Sequence, residues 1–120
     1  MEILPAALRM FLLGAVFVCV GCDPAYKLTG QVTSSTTGAP IAGATVKAVC
    51  PNPPTPSATS DAAGKVNSRD LGFFADDCRI EVRAKDYVTQ TFTVAAVCRR
   101  RHLGSCLEID VDAKLVPVAP

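Results

Sequence analysis

The chain has 120 residues, enough for one domain, and its 12 basic and 11 acidic side chains leave a formal net charge of +1. A protein that binds nucleic acid would carry a clustered basic excess, so this balance argues against a nucleic-acid partner.

An uncharged, mostly apolar stretch occupies residues 10–20. It is shorter than the roughly 20 apolar residues that a membrane-spanning helix needs, and it fits the apolar core of a secretory signal peptide. The positive charge that usually precedes such a core is small here, because Glu2 offsets Arg9. The alternative is a short buried helix. The stretch predicts a signal peptide over residues 1–21 that is cleaved from the mature chain.

Small residues precede Cys22 in the sequence Val20-Gly21-Cys22. This segment resembles the lipobox of bacterial lipoproteins, although Cys19 stands where those proteins usually have leucine. The resemblance implies that Cys22 begins the mature chain and carries the lipid, whose two or three acyl chains give a durable anchor. We expect lipid anchoring in the bacterial cell envelope, on the periplasmic face or at the cell surface. Ordinary signal cleavage with an unmodified Cys22 is the alternative.

Four cysteines remain for the mature domain: Cys50, Cys78, Cys98 and Cys106. An even number in a small exported domain predicts two disulfides, with three possible pairings. A zinc site is disfavoured because the chain has no Cys-x-x-Cys pair and one histidine. We therefore expect neither a metal nor another cofactor.

Beyond a tether at residues 22–25, apolar and polar residues alternate with the period of β-strands. Strands are predicted at residues 26–34, 44–50, 57–60, 65–71, 78–85, 88–98 and 107–116. Residues 61–64 predict a hairpin loop in which Gly64 takes a positive φ. No segment has helical periodicity. The pattern predicts an all-β protein with one antiparallel β-sandwich after the signal peptide.

Several segments resemble the carboxypeptidase regulatory-like domain. They are Gly30-Gln31-Val32, residues 38–46, residues 59–66, residues 80–87 and residues 107–111. The resemblance implies a transthyretin-like, immunoglobulin-like sandwich, which we place at residues 26–117. Such domains are usually accessory modules, and the peptidase activity of the proteins that named the family cannot be carried over to this chain.

Two residues depart from the family pattern. Asp86 replaces a common glycine, which is tolerable because aspartate visits the left-handed region more readily than most residues. Val66 replaces a common aromatic residue, so Phe73 or Phe74 is expected to fill that part of the core. The alternative for these two phenylalanines is an exposed binding patch.

In related sandwiches the strand that ends at Cys50 and the strand that begins at Cys78 are neighbours, which implies a Cys50–Cys78 disulfide. Cys98 and Cys106 flank a short loop and would meet if their strands form a hairpin. Strict alternation places Cys98 on the apolar face and Cys106 on the opposite one. A bulge near Ala95 and Ala96 would remove this conflict.

The most charged feature is the run Arg99, Arg100, Arg101 and His102. It could contact an anion: phospholipid head groups, lipopolysaccharide or an acidic partner. A solvated hairpin loop is the simpler interpretation. His102 would need a nearby serine or cysteine to act in nucleophilic catalysis, and the cysteines are expected to be in disulfides.

Two pairs of aspartates could suggest calcium: Asp76 with Asp77, and Asp110 with Asp112. The second pair alternates with apolar residues, which predicts the wet face of a strand rather than a site of six to eight converging oxygens. We therefore expect a non-enzymatic envelope lipoprotein with a structural or protein-interaction role, whose partner is an envelope protein or a polysaccharide. The alternative is a carbohydrate- or peptide-binding module at the cell surface.

Overall fold

The computed structural model describes residues 25–52, 55–71 and 73–119. The predicted signal peptide and Cys22 lie outside these residues. The elements in the described ranges are β1 (Ala25–Ser34), β2 (Thr45–Val49), β3 (Ser57–Thr59), β4 (Lys65–Leu71), β5 (Arg79–Arg83), β6 (Gln90–Thr93), α1 (Val94–Val97), β7 (Cys98–His102) and β8 (Ser105–Leu115). None of the helices in this part of the chain has the length and apolar character needed to cross a membrane.

The strands form two four-stranded sheets, which confirms the predicted all-β sandwich. Sheet I has the order β4-β1-β8-β7, and sheet II has the order β3-β2-β5-β6. Strands β7 and β4 are therefore the edges of sheet I, while β3 and β6 are the edges of sheet II.

One strand pair contradicts the prediction of a purely antiparallel sandwich. β1 and β8 run parallel, with Leu28 beside Ile109 and Val32 beside Ala113. The chain passes through both sheets between these two strands, so no tight turn fixes their relative direction. The parallel pairing still turns the apolar residues of both strands towards the core, because all four of these side chains are buried.

Alternating side chains from both sheets build the core. Ile80 and Val82 of β5 are fully buried, and they pack with inward residues of sheet I in one cluster. Phe74 is also fully buried, and its ring meets that of Tyr26 edge-on with centroids 5.0 Å apart. Phe73 is 54% exposed, so Phe74 is the phenylalanine that fills the core.

The predicted hairpin between residues 57–60 and 65–71 is wrong. β3 pairs with β2 in sheet II, whereas β4 pairs with β1 in sheet I, so the turn between them crosses from one sheet to the other. Asp61 holds this turn, because its Oδ1 accepts hydrogen bonds from the backbone N–H of Ala63 and of Lys65, both at 2.9 Å. The predicted positive φ of Gly64 is confirmed at 75°.

The predicted continuous strand at residues 88–98 is also wrong. β6 ends in sheet II, and the single turn α1 carries the chain to β7 in sheet I. Thr93 caps this turn through its Oγ1, which accepts a hydrogen bond from Ala96 N at 3.2 Å. The bulge expected near Ala95 and Ala96 is replaced by this turn, and the register shifts lie further on, between Cys98 and Arg101.

Candidate functional surfaces

The basic run lies in an edge strand rather than in the loop predicted for it. Arg99, Arg100, Arg101 and His102 belong to β7, which pairs with β8 and leaves its other edge unpaired within the described sheets. The sequence suggested a loop because the run has no apolar alternation. An edge strand does not need that alternation, and charged side chains on it oppose pairing with a second chain.

Each arginine of β7 has an acidic partner. Arg99 Nη2 lies 3.8 Å from Asp110 Oδ2, and Arg100 Nε lies 3.6 Å from Glu108 Oε1. Arg101 Nη1 forms the shortest contact, 2.8 Å from Asp76 Oδ1. These pairs are exposed and contribute little to stability. They nevertheless place a negative charge beside every arginine of the run, which weakens the attraction of the run for an anion.

His102 is exposed at the end of β7. Within the described ranges, no side-chain hydrogen bond joins it to a serine or a cysteine. Cys98 and Cys106, the cysteines nearest to it in sequence, form a disulfide. The geometry at His102 therefore offers no nucleophile–base pair of the kind that acyl transfer needs.

The four aspartates are dispersed over the surface. Asp76 contacts Arg101, while Asp110 accepts a hydrogen bond from Thr29 Oγ1 at 3.0 Å and lies beside Arg99. Asp110 and Asp112 are both exposed on β8, as the alternation predicted. Of the residues that the structure describes, no group of three His, Cys, Asp or Glu could hold a metal ion.

Two disulfides join the cysteines in the pairing expected from related sandwiches and from a hairpin between Cys98 and Cys106. Cys50–Cys78 links the end of β2 to the start of β5, next to the register pair of Val49 and Arg79. Cys98–Cys106 links β7 to β8 within their hairpin. The parity conflict at the second pair disappears because the register of β7 shifts twice after Cys98.

A polar groove of about 500 Å³ crosses the outer face of sheet I. Its floor is backbone and short side chains, with Thr29, Asn67 and Asp110 in one row across β1, β4 and β8. Hydroxyl, amide and carboxylate groups therefore stand side by side in an open depression.

A second depression, of about 190 Å³, lies on the same face closer to Ala25. Three cations line it, Lys27, Arg69 and Arg100, and we call them the basic corner. Glu108 is the carboxylate in this depression and contacts Arg100. Within the described residues, Lys27 and Arg69 have no ion-pair partner. The sequence alone does not indicate this corner, because its members come from three strands and only the register between the strands brings them together.

The fold and the sequence can be compared with known proteins. Residues 27–101 match the family described as the carboxypeptidase regulatory-like domain. Among curated proteins, no sequence matches significantly.

Twelve chains of solved structures match the fold. One is 3-chlorocatechol 1,2-dioxygenase from Rhodococcus opacus 1CP, with a TM-score of 0.51 and 12% identity over 80% of this chain and 61% of the dioxygenase chain. This chain thus spans less than two thirds of that enzyme, and at such an identity the likeness shows the fold alone. The major plantain pollen allergen Pla l 1 has a TM-score of 0.45 and 15% identity over 80% of this chain and 98% of the allergen. Because the family match extends over more than half of its length, the chain belongs to the carboxypeptidase regulatory-like domain family.

Proposed function

We propose that the protein is a lipid-anchored, non-enzymatic lipoprotein of the bacterial cell envelope, with a structural or protein-interaction role. The observation that carries this proposal is the position of Val20-Gly21-Cys22 at the end of an uncharged stretch, with Cys22 three residues before β1 begins at Ala25. Cleavage before Cys22 would leave a lipid-modified residue joined to the sandwich by a very short tether.

The two disulfides suit export, because such bonds persist in an oxidising compartment and brace a small core.

An interaction role is supported by the surface. The outer face of sheet I carries ordered rows of charged and polar side chains across four strands. Binding residues are commonly presented on such rigid scaffolds or on the loops between their strands. Around His102 and the aspartates, the geometry supplies neither a nucleophile–base pair nor a metal cluster in the described ranges.

The lipid attachment is tested by expressing the full chain in a bacterial host with a clickable fatty acid. The unmodified sequence and a Cys19→Ser variant should both incorporate the label, and mass spectrometry should place the mature N-terminus at an acylated Cys22. Cys22→Ser should incorporate none. Cys19→Ser is the matched control, because it removes a thiol from the same segment without removing the acceptor. Labelling of the Cys22→Ser variant would refute the proposal.

The alternative function, a carbohydrate- or peptide-binding module, is favoured by the polar groove. Sugar hydroxyls could exchange hydrogen bonds with Thr29, Asn67 and Asp110 there. Neither Tyr26 nor Phe73 offers its ring for stacking on a sugar in this groove, because Tyr26 is buried and Phe73 lies beyond the end of β4. Titration with envelope polysaccharide fragments tests this function. Asn67→Leu should abolish binding and Lys114→Leu, outside the groove, should preserve it.

A further inference from the structure

One end of the sandwich gathers features that come from distant parts of the chain. Because β1 and β8 run parallel with Lys27 beside Glu108, Ala25 lies at the end where β8 begins. β4 ends at the same place, with the backbone of Leu71 opposite Ala25. The turn between β7 and β8 also lies there, as does the segment after β4, where Phe74 bridges to Cys106. We call this the N-terminal end of the sandwich.

The N-terminal end presents two apolar side chains to solvent. Leu103 is 92% exposed at the tip of the β7–β8 turn, and its φ of 51° places it in the left-handed region. Such positions favour glycine, asparagine or aspartate, so a fully exposed leucine there is unfavourable in the isolated domain. Phe73 is 54% exposed beside the buried Phe74. Neither exposed side chain is explained by packing within the sandwich.

Cations lie at the same end of the sandwich as these apolar side chains. Arg101 precedes Leu103 by two residues. Lys27 and Arg69 of the basic corner lie near Ala25 and have no ion-pair partner in the described part of the chain. Nearby carboxylates are partly committed, since Asp76 contacts Arg101 at 2.8 Å and Glu108 contacts Arg100 at 3.6 Å. Asp70, next to Arg69, and Asp77, in the same segment as Phe73, are two further exposed carboxylates at this end.

We propose that the N-terminal end of the sandwich docks on an anionic lipid bilayer. Leu103 and Phe73 enter the interface between head groups and acyl chains, while Lys27 and Arg69 contact lipid phosphates. Apolar side chains beside cations are the combination that binds such surfaces, and the cations add attraction to anionic lipids.

This proposal rests on the proposed function, because the acylated Cys22 is what would bring this end of the sandwich to the membrane. Cys22 precedes Ala25 by three residues, and three extended residues span at most about 11 Å. An acylated Cys22 would therefore hold this end, rather than the opposite one, against the membrane.

The absence of tryptophan from the sequence gives a direct test. The full chain carrying Leu103→Trp is reconstituted on vesicles of phosphatidylglycerol and phosphatidylcholine, and its fluorescence is quenched with brominated acyl chains. Val88→Trp is the matched control, because Val88 is 52% exposed and pairs with the segment after the far end of β8. Phe73→Trp is an independent second probe at the N-terminal end.

We expect a blue shift and strong quenching for Trp at positions 103 and 73, and solvent-like emission for Trp at position 88. In the Leu103→Trp background, Lys27→Gln should weaken docking about fivefold, as expected for loss of one cation worth about 1 kcal/mol at an anionic surface. Lys114→Gln should leave docking unchanged, because Lys114 lies on the same face at the far end of β8.

The mature N-terminus, measured by mass spectrometry on the same samples, separates this inference from the proposed function. Acylated protein whose Trp at positions 103 and 73 stays solvent-like refutes the docking surface and leaves the lipoprotein function intact. Unacylated protein whose Trp at these positions still inserts supports the docking surface and refutes the anchor. Solvent-like emission together with an unacylated chain refutes both.

Discussion

Lys27 lies directly opposite Arg69 across the antiparallel pair of β1 and β4. Like charges in this position repel each other, and Glu108, the carboxylate beside Lys27 on β8, is already paired with Arg100 at 3.6 Å. The fold therefore keeps two unfavourably placed cations at the end of the sandwich where the chain enters. A surface that binds an anion would account for this arrangement, since the attraction of both cations to the bound negative charge would offset their mutual repulsion.

Removal of one of these charges should stabilise the free protein. We expect Arg69→Gln to raise the free energy of unfolding by about 0.2–1 kcal/mol in low salt, because it removes the repulsion from Lys27. The gain should shrink in high salt, where screening already weakens the repulsion. Urea denaturation at two salt concentrations measures both effects. Arg79→Gln is the control, since Arg79 pairs with Glu81 at 3.5 Å, and an equal gain there would show that net charge alone is responsible.

The buried hydroxyl of Ser60 should be necessary for the conformation of residues 41–44, which lead into β2. Its Oγ accepts a hydrogen bond from Ala44 N at 2.9 Å and donates one to Ile41 O at 2.7 Å. Ser60→Ala leaves both buried backbone groups without this partner, so we expect a loss of about 1–3 kcal/mol in unfolding free energy. Ser57→Ala, at an exposed position of β3, should change stability by less than about 0.5 kcal/mol. Equal effects on thermal unfolding would contradict this role of Ser60.

Two glycines with nearly the same backbone conformation should respond differently to alanine. Gly64 has a φ of 75° and Gly43 a φ of 76°, so placing alanine in the left-handed region costs about 1–2 kcal/mol at either position. At Gly64 an added Cβ would also meet the carbonyl oxygen of Val32, whereas at Gly43 it would meet nothing within 4 Å. We expect Gly64→Ala to be less stable than Gly43→Ala by a further 1–3 kcal/mol or so. Indistinguishable denaturation midpoints for the two variants would mean that the turn at Gly64 moves away from Val32 without a loss of stability.

The sequence predicted best those features that depend on local alternation. In β5 the charged residues Arg79 and Arg83 are exposed while Ile80 and Val82 are buried, because a strand with one face in the core must alternate in this way. The positive φ of Asp86, at 69°, likewise follows from a turn that common family members build with glycine. Local chemistry determines both features, and a single sequence contains that information.

Features that depend on the choice of sheet were not predictable in this way. Period-2 alternation is the same in both sheets, so it could not show that β3 and β4 belong to different sheets or that β1 and β8 run parallel. The surfaces depend on these choices. The pairing of Arg99 with Asp110 and the gathering of Lys27 with Arg69 both require the register between strands, which no single segment specifies.

The two disulfides should contribute unequally to stability. Cys50 and Cys78 are 28 residues apart in sequence, whereas Cys98 and Cys106 are 8 apart. In the chain-entropy description a bridge stabilises by restricting the unfolded chain, more so for a longer loop, which gives about 3.6 kcal/mol for the first and about 2.6 kcal/mol for the second. Replacing each pair by two alanines and measuring denaturant unfolding compares them directly.

The pairing itself is tested on the unmodified protein by peptide mapping without reduction. We expect one linked pair containing Cys50 and Cys78 and another containing Cys98 and Cys106. A peptide that links Cys50 to Cys98 or to Cys106 would contradict the antiparallel pairing of β2 with β5, because that pairing brings Cys50 and Cys78 together. The mapping can confirm the pairing while the double-alanine variant at Cys98 and Cys106 proves less stable than the variant at Cys50 and Cys78. The additional loss of unfolding free energy must then arise in the folded state. Cys106 is fully buried and its backbone pairs with that of Phe74, so a cavity at this position would then outweigh the entropy of the shorter loop.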